Sequence, residues 1–155
     1  MEKQKYDELT KQAMLSMENG NFDKAINELT EAIKLYPKEA SAYNSRGLAY
    51  GQLGQYDQAI NDFSKAIELA PGDSSNYRSR GFLYAQLSQF DQCVKDFTEA
   101  IRLEPDNYLT YMGRGTVYGV LNQNDMAKRD LEKVISLNPD EATLFDAKNM
   151  LSKLR

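Results

Sequence analysis

Four aspartates and one cysteine are the side chains whose types and spacing could do chemistry. The aspartates could act as general acids and bases, and they form the pairs Asp57 with Asp62 and Asp91 with Asp96. Cys93 could act as a nucleophile. The sequence contains no histidine, which excludes Ser–His–Asp and Cys–His catalysis and histidine-containing zinc sites. The aspartates recur periodically and Cys93 replaces a recurring alanine, so we predict structural roles, no enzymatic activity, no cofactor and no metal site.

The composition describes a chain that can bury a core and remain soluble. Of its 155 residues, 41% are hydrophobic and 27% are charged. The net charge of −4 disfavours a nucleic-acid or anionic-membrane surface, which needs clustered basic residues. No apolar run reaches the length of a membrane span. The opening residues MEKQKYDELT lack the apolar core of a signal peptide, from which we expect a cytoplasmic location.

Prolines at a constant spacing of 34 residues indicate an internal repeat. The four prolines of the sequence are Pro37, Pro71, Pro105 and Pro139. They follow four copies of one helix end, TEAIKLYP, SKAIELAP, TEAIRLEP and EKVISLNP. Each proline ends its helix because it cannot donate the backbone hydrogen bond that a continuing helix needs. The copies AYNSRGLAY, NYRSRGFLY and TYMGRGTVY start another helix, so each repeat is predicted to contain two helices.

Small residues mark the turn and the contact between these two helices. The turn positions are Gly20, Gly54, Ser88 and Asn122. Glycine and asparagine suit a left-handed backbone, so three of the four fit a helix-ending position. The first helices carry Gly47, Gly81 and Gly115. Glycine costs about 1 kcal/mol against alanine in a helix, which predicts that the second helix approaches closely there.

Charged residues also recur in phase on the two helices of each repeat. Acids on the second helices and bases 18 residues later give opposite charges at every junction between repeats. We therefore predict structural ion pairs between neighbouring repeats rather than phosphate binding by the arginines. The predicted pairs are Glu28–Arg46, Asp62–Arg80, Asp96–Arg114 and Asp130–Lys148.

The pattern resembles the tetratricopeptide repeat family over residues 6–141. It is carried by the prolines, the glycines and the recurring aromatic residues Tyr43, Tyr77, Tyr111, Tyr50, Tyr84, Tyr118, Phe63 and Phe97. The resemblance implies an all-α, right-handed superhelical α-solenoid in a single domain. Its four helix–turn–helix repeats would cover about 6–39, 40–73, 74–107 and 108–141. A C-terminal capping helix would follow at 141–154, with Phe145 in phase with Tyr111.

The resemblance also implies a concave groove, lined by the first helices, that holds a peptide or a helix of a partner. Carried over by phase, its lining includes Thr10, Met14, Met17, Asn44, Leu48, Gln52, Arg78, Phe82, Gln86, Met112 and Thr116. Met14, Leu48 and Phe82 give this lining an apolar stripe, as binding surfaces often have. The alternative is that these side chains fill gaps between adjacent first helices.

Some relatives bind the acidic tail of heat-shock chaperones through a clamp of Lys, Asn and Arg. The corresponding positions here are Thr10, Met14, Ser45, Ser75 and Ser79, and none matches. We therefore predict a protein-interaction module (an adaptor, a co-chaperone-like protein or an assembly factor) that binds another protein without this clamp. A self-associating scaffold is an alternative, and an RNA-binding helical repeat is a further one that the acidic balance opposes.

Overall fold

The computed structural model describes residues 1–154, which form nine α-helices and no β-strand. In chain order they are α1 (Glu2–Glu18), α2 (Phe22–Leu35), α3 (Ala40–Gln52), α4 (Tyr56–Leu69), α5 (Ser74–Gln86), α6 (Phe90–Leu103), α7 (Tyr108–Val120), α8 (Asn124–Ser136) and α9 (Glu141–Lys153). Helices of the first and second type alternate, with a proline after each second helix. The prediction of an all-α helical repeat is confirmed.

Two compact units divide the chain, Met1–Leu83 and Tyr84–Arg155. The first, here called the N-terminal unit, contains α1 to α4 and most of α5. The second, here called the C-terminal unit, contains the end of α5 and α6 to α9. The assignment of four repeats to a single domain stays a prediction.

A residue with a left-handed backbone follows each of the first four first-type helices. The four φ values are +73° at Gly20, +72° at Gly54, +58° at Ser88 and +57° at Asn122. Ser88 is the one turn position of the four that is neither glycine nor asparagine. Its N–H donates to the carbonyl of Ala85 at 3.0 Å, and the N–H of Gln89 donates to that of Tyr84 at 2.8 Å. These bonds close the helix end in a Schellman arrangement, which holds a serine where glycine would cost less.

The close approach predicted at the glycines is present in both units. A Cβ added to Gly47 on α3 would lie 3.2 Å from the ring of Phe63 on α4. One added to Gly115 on α7 would lie 3.2 Å from Cβ of Asp130 on α8. The small residues that recur on the second helices are all 0% exposed, namely Ala25, Ala59, Cys93 and Ala127. Each helix pair is therefore packed through positions that tolerate only small side chains.

The last helix covers the core of the C-terminal unit with a different residue than the phase suggested. Ala147 on α9 is completely buried and joins a core cluster with Tyr111, Leu131 and Val134. Phe145, which is in phase with the buried Tyr111, is 70% exposed. Tyr111 is covered by the second helix of its own repeat, and no described helix follows α9 to cover Phe145 in the same way.

The ion pairs form within a helix pair, not between neighbouring pairs. Arg46 on α3 donates from Nε and Nη2 to both carboxylate oxygens of Asp62 on α4, at 2.7 Å each. Arg114 on α7 donates to both oxygens of Asp130 on α8 at 2.8 Å. The prediction of ion pairs across the junctions is therefore wrong for the four pairs Glu28–Arg46, Asp62–Arg80, Asp96–Arg114 and Asp130–Lys148.

The first repeat shows why the charge pattern predicted the wrong ion-pair partners. Pairing within a repeat would place Gln12, which has no charge, opposite Glu28, so the charge pattern alone favoured pairing across the junctions. In the structure Glu28 accepts a hydrogen bond of 2.8 Å from the hydroxyl of Ser16, one turn after Gln12. Glu28 also lies 3.7 Å from Lys24. A hydroxyl thus satisfies the acid in the only repeat that lacks a base at the arginine position.

The same arginines do connect neighbouring helix pairs, through hydroxyl groups. Nη1 of each arginine donates to the oxygen of a Ser or Thr 16 residues earlier: Arg46 to Thr30 at 3.0 Å, Arg80 to Ser64 at 2.8 Å and Arg114 to Thr98 at 2.9 Å. Each hydroxyl donates its own hydrogen to a carbonyl four residues before it in the helix, at 2.7 Å. At each of these junctions a charged guanidinium therefore donates a hydrogen bond to a neutral hydroxyl.

Candidate functional site

Three large apolar side chains that were predicted to line a groove are exposed on the N-terminal unit. Met14 on α1 is 61% exposed, Leu48 on α3 is 41% exposed and Phe82 on α5 is 42% exposed. More than half of Leu48 and Phe82 is covered, so the alternative that these side chains fill gaps between adjacent helices stays open. We call the surface that carries Met14, Leu48 and Phe82 the first-helix face. Part of each of these three side chains reaches the surface.

An open cavity of about 240 Å³ lies beside Met14, between α1 and α3. Thr10 and Met14 border it from α1, and Ser41 and Ser45 border it from α3. Its remaining lining consists of the buried side chains Tyr6, Ala13, Leu29 and Ala42. The cavity exists because alanines and serines occupy positions where larger side chains would fill the space between the helices.

At the cavity border, Thr10 keeps its hydroxyl bonded within its own helix. The hydroxyl of Thr10 lies 3.1 Å from the carbonyl oxygens of both Tyr6 and Asp7, to which it can donate. Lys3 and Asp7 pair with each other on α1 at 3.3 Å, and the hydrogen bond to Asp7 raises the pKa of Lys3.

A chain of amide hydrogen bonds fixes Asn44, a predicted lining residue. Its Nδ2 donates to Oδ1 of Asn76 on α5 at 2.6 Å. Asn76 is 1% exposed, and its own Nδ2 donates to Oδ2 of Asp73 at 3.2 Å. A buried amide needs such partners. Asn44 is thereby held in one orientation next to Leu48 on the first-helix face.

The other predicted lining residues differ in exposure. In the N-terminal unit Gln52 is exposed, Arg78 is half-buried, and Met17 is half-buried against the core of Ala13 and Leu29. In the C-terminal unit Gln86 and Thr116 are exposed. There Met112 is half-buried against the core, and its carbonyl accepts from the hydroxyl of Thr116 at 2.8 Å. The binding role of all eleven residues stays a prediction.

The cavity brings together three of the five clamp positions considered above. Thr10, Met14 and Ser45 border the same space, and none carries a charge. Ser75 is occupied locally, since its hydroxyl donates to Asp73 at 2.6 Å. Sequence reasoning missed Tyr6 and Leu29 as lining residues because their apolar phase assigns them to the core. Only the width left between α1 and α3 exposes one edge of each to the cavity.

Asp57, Asp62 and Cys93, which were considered as catalytic side chains, occupy a helix start, an ion pair and the core. Asp57 is exposed in the first turn of α4, while Asp62 is 5% exposed and bound to Arg46. Cys93 is completely buried, and burial raises the pKa of its thiol to about 12. Residues 1–154 contain no cluster of three side chains suited to hold a metal. No helix in this range combines the length and apolar character that crossing a membrane requires.

Family models match most of the chain. Models described as tetratricopeptide repeat match residues 40–73, and residues 77–107 and 108–141. A third model, described as TPR repeat, matches residues 16–54. In a sequence comparison, none of the curated proteins matches the chain.

Solved structures share the fold. A structure of MamA is 23% identical, with a TM-score of 0.84, over 88% of this chain and 80% of that one. A tetratricopeptide repeat protein from Parabacteroides merdae is 19% identical, with a TM-score of 0.88, over 98% of this chain and 60% of that one. The first TPR of Spaghetti (RPAP3), bound to the HSP90 peptide SRMEEVD, is 28% identical, with a TM-score of 0.70. The match covers 76% of this chain and 90% of that one.

Proposed function

Because the chain belongs to the tetratricopeptide repeat family, we propose that it is an adaptor whose first-helix face binds a short segment of another protein. The observation that carries this proposal is the exposure of Met14, Leu48 and Phe82, together with an open cavity that Met14 borders. Exposed apolar groups with a polar surround are a property of interaction surfaces. Methionine adapts its shape to different ligands, which suits Met14 to this role.

The geometry supports a peptide-sized ligand rather than a flat protein surface. The cavity of about 240 Å³ can receive one side chain, while Leu48 and Phe82 offer contacts for its neighbours along an extended segment. The peptide-bound RPAP3 domain, at 28% identity, supports peptide binding by a chain of this fold. Catalysis has no part in the proposal, because the candidate acids and the thiol are engaged in helix ends, an ion pair and the core.

The test begins with a random heptapeptide library displayed on phage and selected against the intact chain. Selected peptides are then measured by fluorescence polarisation against wild type, Leu48→Glu and Met14→Glu. A charge on this face opposes an apolar ligand, so both variants should bind at least tenfold more weakly. Leu15→Glu is the matched control, since Leu15 is 50% exposed and does not line the cavity. Binding that survives both face variants, with unchanged melting temperature, places the site elsewhere.

A second candidate function is self-association through the C-terminal unit. The exposed fractions there are 70% for Phe145, 58% for Val120 and 48% for Leu109, and exposed apolar groups of this size favour contact with another chain. Light scattering across a concentration series tests this candidate. A monomeric mass at all concentrations excludes it, and an oligomer that Phe145→Ser dissociates supports it.

A further inference from the structure

We propose that the cavity between α1 and α3 is a socket for one uncharged apolar side chain of the partner, of the size of leucine, methionine or phenylalanine. This inference rests on the proposed function, because it specifies the ligand of the same first-helix face. It assigns the anchor of the binding segment from the size, lining and charge of the cavity.

The size of the cavity sets the size of the anchor. A closed apolar cavity of about 150 Å³ holds benzene. The cavity here, at about 240 Å³, exceeds that volume and is open to solvent. A branched aliphatic, thioether or aromatic side chain fits, with its backbone left outside along α1 and α3. A methyl group would leave most of the space unfilled and would forfeit dispersion contacts.

The lining sets the polarity of the anchor. Tyr6, Ala13, Leu29 and Ala42 contribute buried apolar surface. The hydroxyl of Thr10 is directed to backbone carbonyls of α1. Burying apolar surface stabilises a complex by roughly 25 cal/mol per Å². The hydroxyls of Ser41 and Ser45 also border the cavity, but the apolar part of the lining is the larger one, so burial favours an apolar anchor.

The charge of the lining excludes an acidic anchor. None of the eight side chains that line the cavity is Lys, Arg, Asp or Glu. A carboxylate that entered would lose its hydration without a cation to pair with, which is strongly unfavourable. The segment that this face binds is consequently anchored by an apolar residue and not by the carboxylates of an acidic tail.

The experiment uses the peptides selected on the intact chain and, as an acidic probe without a large apolar side chain, the heptapeptide SRSEESD. Selected peptides should share one Leu, Met, Phe or Ile, and replacing it by Asp should weaken binding at least tenfold. SRSEESD should bind at least a hundredfold more weakly than the best selected peptide. Peptides whose affinity requires an acidic residue, or tight binding of SRSEESD, would overturn the inference.

A cavity-filling variant locates the anchor. Ser45→Leu occupies the cavity from α3 and improves helix propensity, so the variant should keep its melting temperature and bind the selected peptides at least tenfold more weakly. Gln58→Leu is the matched control, because Gln58 is exposed on α4 and does not line the cavity. Equal binding by Ser45→Leu and wild type would overturn the socket.

The outcomes separate this inference from the proposed function. Peptides that Leu48→Glu weakens and Ser45→Leu does not would retain the first-helix face and reject the socket. If no selected peptide is weakened by Leu48→Glu or Met14→Glu, the proposed function fails, and the socket fails with it.

Discussion

Arg46 and Asp62 form a two-point ion pair inside one helix pair, with both nitrogen–oxygen distances at 2.7 Å. Their side chains are only 17% and 7% exposed. The hydrogen bond to Asp62 raises the pKa of Arg46, so the arginine keeps its charge at any working pH. The guanidinium also lies 5.8 Å from the ring centre of Tyr43 and 5.9 Å from that of Tyr50. The ion pair and both ring contacts of the arginine thus lie within its own helix pair.

We expect Asp62→Ala to lower the free energy of unfolding by about 2 kcal/mol, because a largely buried arginine loses its counterion. Urea denaturation measures the loss. A double-mutant cycle with Arg46→Ala should give a clear coupling energy. The same cycle with Arg80→Ala is the control and should give little. A larger coupling to Arg80 than to Arg46 would restore the model of ion pairs between repeats.

Thr30→Val should destabilise the protein by about 1 kcal/mol, because Arg46 loses a neutral acceptor at 3.0 Å and the shape of the side chain is kept. Thr10→Val is the matched control, since the hydroxyl of Thr10 is bonded within its own helix. Chemical denaturation of both variants gives the comparison. Equal losses would mean that the link between helix pairs adds nothing to stability.

Gly47→Ala should cost about 1 kcal/mol, because overpacking against Phe63 outweighs the gain in helix propensity. The new methyl would meet a buried ring at 3.2 Å. Gly119→Ala, on α7, meets no atom within 4 Å and should gain about 0.5 kcal/mol from propensity alone. Thermal unfolding should therefore shift in opposite directions, and a stabilised Gly47→Ala would contradict the close approach.

Cys93 should react with Ellman's reagent about a hundredfold more slowly in the native protein than after unfolding. Its thiol is completely buried and its pKa is raised to about 12, so almost no thiolate is present at pH 8. A Ser152→Cys, Cys93→Ala double variant supplies an exposed thiol as the control. Rapid native labelling of Cys93 would show that α6 opens far more readily than its packing implies.

The fold could be predicted from the sequence at positions where the residue type restricts the backbone or the packing to one arrangement. Proline cannot continue a helix, and Gly47 is costly within a helix unless another side chain lies close, so both were placed correctly. Ser88 shows where this reasoning stops. Nothing in a serine side chain requires a positive φ, and only the two hydrogen bonds of the helix end impose it.

The charges and the cavity were harder to foresee because several geometries suit the same pattern. Asp62 is in phase with an arginine on either side, and only the distance between α3 and α4 selects Arg46. The cavity depends on the distance between α1 and α3, and this distance cannot be predicted from the spacing of residues in the sequence. Phe145 likewise keeps the phase of Tyr111, but burial requires a covering helix.

The recurring donor–acceptor geometry between Arg46 and Thr30, Arg80 and Ser64, and Arg114 and Thr98 has an evolutionary consequence. Because each seam presents the same half of the bond on either side, duplication or excision of one unit would join matching edges. A segment of 34 codons gained or lost between two such seams would therefore leave this particular hydrogen bond intact at the new boundary.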